Sequence, residues 1–355
     1  MPLTRCTKYL RINPQVPEIH KIRLAARILA RGGVVAFPTE TVYGLGANAL
    51  DARAVRRIFR AKGRPQDNPL IVHVANMEMV DDLVAEIPPI AGLLMERFWP
   101  GPLTLVLPKS DLVPPEVTAG LDTVGIRMPA HPVALALIKA ARLPIAAPSA
   151  NLSGRPSPTT GHHVLRDLHG RIDAVVDGGP ASVGVESTVL DLTTPVPTIL
   201  RPGGVTLEEL QKILGRVELD PAVVSEAGHP RAPGMKYTHY APQGNLFLVA
   251  GDTPKVAARI NRLVKSFKAA GLRVGALLTV ETAACYRPEI QPDYLEIIGS
   301  RNDLGTVAAR LFAALHNCDR HRVQIILTET FPEKGLGLAI MNRLRKASAH
   351  RIIQA

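Results

Sequence analysis

Residues 19–46 read IHKIRLAARILARGGVVAFPTETVYGLG. From Ile19 to Ala30 the apolar residues recur at helical spacing, and past the glycine pair GVVAF, Gly33 to Phe37, is a β-rich run. At Pro38 the apolar chain gives way to hydroxyls and glycines. A helix feeding a buried strand whose far end turns polar is the signature of an α/β layer, where ligands collect at strand ends.

The same alternation continues beyond this stretch. Leu70 to Val74 (LIVHV), Leu103 to Leu107 (LTLVL), Val124 to Met128 (VGIRM), Ala174 to Asp177 and Thr188 to Leu192 read as strands. Ala52 to Ala61, Ile90 to Phe98 and Pro132 to Ala141 carry helical spacing. From Arg216 to Gly244 the pattern dissolves into Gly, Pro and His, which reads as a linker. Strand and helix then alternate again: Leu246 to Ala250, Pro254 to Ala270, Val274 to Thr279, Leu304 to Cys318, Val323 to Thr328 and Leu336 to Ala347 predict a second, smaller parallel α/β domain.

Length agrees with this division, since 355 residues correspond to about two domains. A hydrophobic fraction of 46% with 21% charged residues describes a soluble globular chain. Cys6, Cys285 and Cys318 are odd in number and form no CxxC, which argues against a disulfide framework or a cysteine zinc site and for a reducing cytoplasm. The N-terminus lacks the apolar core of a signal peptide, and no run reaches the roughly 18 apolar residues of a membrane span. Net charge is +11, with 23 basic against 19 acidic residues before position 216 and 19 against 12 after it. Such an excess suits a polyanion, either RNA or a phosphorylated substrate, and equally a generally basic proteome.

The common nucleotide motifs are missing. There is no GxxxxGK[ST], and the GxGxxA formed by Gly44, Gly46 and Ala49 lacks the acidic residue about 20 positions on. HExxH is absent, and His316, Cys318 and His321 read as helix-end residues rather than metal ligands. What remains is polar chain at the ends of apolar strands. PTETVYGLG follows GVVAF, and KGRPQDNPL precedes LIVHV with Lys62 and Arg64 as two cations suited to polyphosphate. In APSANLSGRPSPTT, Ser149 and Asn151 stand where small residues leave backbone N–H groups open to an anion. Arg127 lies inside a strand, where a cation is costly unless it meets an anion such as a carboxylate. Ser187 and Thr188 open the strand STVLDL, and Arg201 ends TIL before Pro202.

In this order, PTETVYGLG, KGRPQDNPLIVHV, WPGPLTLVL, VGIRMP, APSANLSGRPSPT, ESTVLDL, ILRPGG, APGMKYTHYAP and KGLGLAIMNRLRKAS resemble the YrdC-like family of L-threonylcarbamoyl-AMP synthases in its long form. The resemblance implies an α/β fold: a YrdC-like twisted mixed sheet with helices over 1–215, a linker and active-site lid over 216–244, and a smaller Rossmann-like α/β domain over 245–355. It implies an enzyme, a nucleotidyltransferase, that joins L-threonine, bicarbonate or CO2, and ATP into threonylcarbamoyl-AMP and pyrophosphate. The product would serve a downstream transferase complex that modifies the adenosine beside the anticodon of tRNA.

By the same resemblance Lys62, Arg64, Ser149 and Asn151 are the catalytic quartet. Arg64, Asn68, Thr123, Ser149, Ser157, Arg201 and Tyr240 fall on ATP-side positions. Thr41, His73, Arg127 and Ser187 fall on the threonine pocket, and Lys236, Tyr237 and His239 on the lid. Mg2+ is expected with ATP, without a protein ligand to assign. Two other readings compete: an RNA-binding module without catalysis, which the charge favours and the 4% aromatic content opposes, and a carbamoyl-transferring relative of metallocentre assembly, which would need acylphosphatase-like and zinc-finger segments absent here.

Overall fold

The computed structural model describes residues 6–225 and 240–355. They divide into two compact units, one of residues 6–153 and 157–225, the other of 154–156 and 240–355. Among the described residues no helix is long and apolar enough to cross a membrane.

The first unit is built on strands β1 (Lys8–Arg11), β2 (Val35–Phe37), β3 (Gly44–Asn48), β4 (Ile71–His73), β5 (Leu103–Pro108), β6 (Thr123–Arg127), β7 (Ile145–Ala146), β8 (Ala174–Asp177), β9 (Thr188–Asp191), β10 (Thr198–Arg201) and β11 (Glu218–Leu219). They form one mixed sheet in the order β1-β8-β2-β3-β7-β4-β6-β5-β9-β10-β11. The weak GxGxxA stretch is β3, antiparallel to β2, so its glycines belong to a strand rather than to a dinucleotide turn. Within the stretch read as a linker, β11 pairs parallel to β10 and Pro221–Ser225 is helical, because the edge of β10 still offers unpaired backbone groups at that point.

Alternation along the strands separates two faces. Val72, Leu105, Ile126, Ala146, Leu190 and Ile199 enter the main core, covered by helices that include Ala52–Lys62, Pro89–Phe98 and Gly161–Leu168. The opposite face has two halves. Around β2 and β8, helices Ile19–Ala30 and Pro132–Ala141 pack on Val35, Phe37, Ile145 and Val176. Over β4, β5, β9 and β10, the buried apolar cluster consists of strand residues alone, Ile71, Val106, Val189 and Leu200. An apolar strip without its own helix is a floor on which a ligand can lie.

The second unit has a five-stranded parallel sheet of β12 (Asn245–Ala250), β13 (Val274–Thr279), β14 (Tyr294–Gly299), β15 (Ile325–Glu329) and β16 (Ile352–Gln354), ordered β14-β13-β15-β12-β16. At the carboxyl ends of β13 and β15, the fully buried Glu329 accepts from the Thr279 N–H at 2.8 Å and the Thr282 hydroxyl at 2.9 Å, and Arg301 pairs with it. That carboxylate is closed by its own neighbours, as a buried charge must be.

Candidate active site

Helix Ala52–Lys62 starts where the Asp51 side chain accepts from the N–H groups of Arg53 and Ala54, and stops where Gly63 turns left-handed at φ 61°. Its buried stripe of Ala54, Val55, Ile58, Phe59 and Ala61 carries Lys62 inward at the last turn. Lys62 is 2% exposed, and its ammonium donates to the carbonyl oxygens of Ser149 and of Asn151, the latter at 2.6 Å. Burial, with the nearby Arg64 guanidinium, holds its pKa well below that of an ordinary lysine. Arg64 reaches the Asn68 carbonyl at 3.3 Å, so the basic loop folds on itself beside Lys62. Residues 149 and 151 are fixed from the other side: Gly44 and Ser149 form an antiparallel bridge, and the Ala150 N–H donates to the Tyr43 carbonyl. The quartet Lys62, Arg64, Ser149 and Asn151 is thus one cluster in space.

Register sets the neighbouring row. His73 pairs with Arg127 across β4 and β6, while Ile71 pairs with Gly125. Arg127, 3% exposed, donates from Nε to the Gly101 carbonyl at 3.0 Å and from Nη1 to the Thr41 hydroxyl at 2.9 Å. Its Nη2 lies 2.5 Å from Glu40 Oε1, so the anion that meets this strand-embedded cation is a carboxylate of the protein itself. Burial first, and Arg127 second, push the His73 pKa down to about 3, so this imidazole is neutral. Ser187 Oγ sits 2.8 Å from Thr104 Oγ1 and accepts from Arg201 Nη2 at 3.1 Å. Arg201 also donates from Nε and Nη2 to the Ser187 carbonyl, so one side chain ties the edge of β10 to the entry of β9. Ser157, fully buried, donates to Glu186 at 2.5 Å.

Farther along β6, Thr123 borders a small cavity of about 150 Å3 walled by Val106, Leu121, Leu200 and Asp191. A larger cavity of about 680 Å3 lies at the carboxyl ends of β1, β8 and β2, between His131, Asp177 and Arg11, and Glu40 is part of its wall. Tyr240 belongs to the second unit, where its ring lies 5.3 Å from that of Phe312 and 5.9 Å from the Arg343 guanidinium. Lys236, Tyr237 and His239 lie outside the described residues.

Several buried polar atoms here have no hydrogen-bond partner, Glu40 Oε2, Asn68 Oδ1 and His73 Nδ1 among them, while Glu40 Oε1 and Arg127 Nη2 face each other 2.5 Å apart. The Glu40–Arg127 contact is a charge contact without an aligned hydrogen bond. Such atoms are rare in folded proteins and costly at about 1–3 kcal/mol each, which marks a place prepared for a ligand. Cations dominate the quartet, and among the described residues no group of three or more His, Cys, Asp or Glu could hold a metal ion.

Fold and site together define a two-unit α/β protein whose first unit buries the cations Lys62 and Arg127 beside an open sheet face. Residues 27–203 match the Sua5/YciO/YrdC family, described as "Telomere recombination", and residues 205–349 match the family "Threonylcarbamoyl-AMP synthase, C-terminal domain". The chain is 53% identical over 338 residues to the threonylcarbamoyl-AMP synthase of Pyrococcus abyssi, covering 95% of this chain and 96% of that one. It is 52% identical to the Bacillus subtilis protein of the same name, covering 94% of each. The crystal structure of P. abyssi Sua5 complexed with L-threonine superposes with a TM-score of 0.92 at 50% identity, over 98% of this chain and all of that one. The chain belongs to the threonylcarbamoyl-AMP synthase family in its two-domain form.

Proposed function

We propose that this protein is an L-threonylcarbamoyl-AMP synthase, a nucleotidyltransferase that makes threonylcarbamoyl-AMP and pyrophosphate from L-threonine, bicarbonate or CO2, and ATP. The observation that carries the reading is the adjacency of two clusters on one sheet: the buried Lys62 held by the carbonyls of Ser149 and Asn151, and the row of His73, Arg127 and Ser187.

In this reading Arg127 takes the threonine carboxylate, and Thr41, His73 and Ser187 surround the rest of the amino acid. The threonine amine adds to CO2 to give a carbamate and releases a proton. A carbamate oxygen then forms a bond to the α-phosphorus of ATP as the bond to the β-phosphate oxygen breaks, and pyrophosphate leaves. The chain's part is to align the two reactants and neutralise charge. Lys62, Arg64, Ser149 and Asn151 hold the triphosphate, with Asn68, Ser157 and Arg201 beside them. Four residues of strand separate Arg127 from Thr123, about 13 Å, room for the nucleoside to extend over Ile71, Val106 and Leu200 toward the small cavity that Asp122, Thr123 and Asp191 help to line. Magnesium bound with the nucleotide would offset the charge of its phosphates. A cytoplasmic protein handing its product to a tRNA-modifying transferase, with weak RNA contact through its basic surface, completes the proposal.

The test is pyrophosphate release from radiolabelled ATP. Release that requires threonine and bicarbonate together supports the reading. Folded protein that shows no threonine-dependent release, yet binds tRNA with steep salt dependence, would replace it with an RNA-binding module.

A further inference from the structure

Arg127 and Glu40 form a buried ion pair, 4% and 7% exposed in their side chains. Two of the three guanidinium nitrogens are already fixed, Nε by the Gly101 carbonyl and Nη1 by Thr41. Orientation therefore does not need Glu40. What Glu40 adds is charge: its Oε1 lies 2.5 Å from Arg127 Nη2, and its Oε2 is buried without a hydrogen-bond partner. His73 on the adjacent strand and His131 at the wall of the larger cavity are both driven toward their neutral forms by burial. The threonine end of the cleft consequently holds one positive and one negative side chain and no other charge from His73 or His131.

We propose that Glu40 is a specificity-determining residue that makes this subsite select ammonium-bearing carboxylates over carboxylates that lack an amine. The inference rests on the reading that Arg127 receives the substrate carboxylate. A lone Arg127 would favour any anion. With Glu40 beside it the subsite is neutral overall, which matches a zwitterionic amino acid and opposes a net-negative hydroxy acid of the same shape. An α-ammonium is two bonds from its carboxyl carbon, so a carboxylate seated on Arg127 brings the ammonium into the field of Glu40. At the screening found in partly dry protein, one charge at such a separation alters affinity about tenfold or more.

The experiment compares the affinities of full-length protein for L-threonine and for (R)-3-hydroxybutyrate, which is threonine without its amine, by calorimetry in the absence of ATP. Wild type should prefer threonine, and Glu40→Gln should lose about tenfold or more of that preference. Glu40→Asp retains the charge and should retain the preference. A folded Glu40→Gln that weakens both ligands alike, or a Glu40→Asp that loses the preference, overturns the proposal. Arg127→Gln separates the two levels: unchanged threonine affinity there would overturn the carboxylate assignment itself, whereas lost affinity leaves the ratio measured at Glu40 to decide.

Discussion

The ammonium of Lys62 donates to the main-chain carbonyl of Asn151 at 2.6 Å, joining the end of a helix to a loop 89 residues later. This bond helps set the shape of the cluster of Lys62, Arg64, Ser149 and Asn151. Lys62→Met should lower pyrophosphate release by about 10²- to 10³-fold, the usual effect of removing one group that stabilises developing charge. Loss of the donor to two carbonyls opposes relief of a buried cation, so the denaturation midpoint should correspond to a change of about 1 kcal/mol or less. Parallel assay and urea unfolding would check both, and a wild-type rate would remove Lys62 from the chemistry.

His73 gives a pH signature. Its pKa is about 3 in the folded chain against 6.5 ordinarily, so between these values the unfolded state binds a proton that the folded state refuses. Its contribution to stability is complete above pH 6.5 and is lost as the pH falls toward 3. Melting curves across that window should show wild type losing stability on acidification and His73→Gln losing less. Parallel curves for the two proteins would contradict the assignment.

Gly203 lies where β10 turns back under β9. A Cβ there would fall 2.3 Å from the Glu186 carbonyl oxygen, the Ser187 carbonyl carbon and the Thr188 nitrogen, all backbone atoms that cannot rotate away. Gly203→Ala should destabilise the protein by about 3 kcal/mol and weaken ATP binding, because Arg201 would lose its hold on Ser187. Calorimetric melting and nucleotide titration read these separately.

Much of this arrangement is legible before folding, and the exceptions have physical causes. Lys62, Arg64, Ser149 and Asn151 stand out as polar residues flanking apolar strands. That Lys62 would be buried against carbonyls is not legible, because the carbonyls belong to backbone brought in by β3 and β7. Arg127 is recognisable as a strand-embedded cation in need of an anion. Its partner Glu40 is written in the same PTETVYGLG stretch, yet that stretch reads as a turn of hydroxyls, and the missing signal is the need for charge balance between two distant segments. Gly44 to Asn48 is too glycine-rich to look like a strand, and only pairing with β2 and β7 makes it one. Residues 218–225 read as linker because a two-residue strand carries no period.

In the second unit, Glu329 has no exposure and depends on Thr279, Thr282 and Arg301. Glu329→Ala should cost about 3–5 kcal/mol by leaving the Arg301 guanidinium without its counter-charge. Hydrogen exchange should report the loss in β13 and β15, and unaltered exchange there would show that the network is dispensable.

Parity along β6 has an evolutionary corollary. Thr123, Gly125 and Arg127 face one side of the sheet while Val124 and Ile126 enter the main core, so a one-residue insertion or deletion within the strand would exchange the two sets beyond it and drive a guanidinium into oil. A gap inside β6 would therefore disfavour the fold, and change on the open face is expected to come by replacement at every second position.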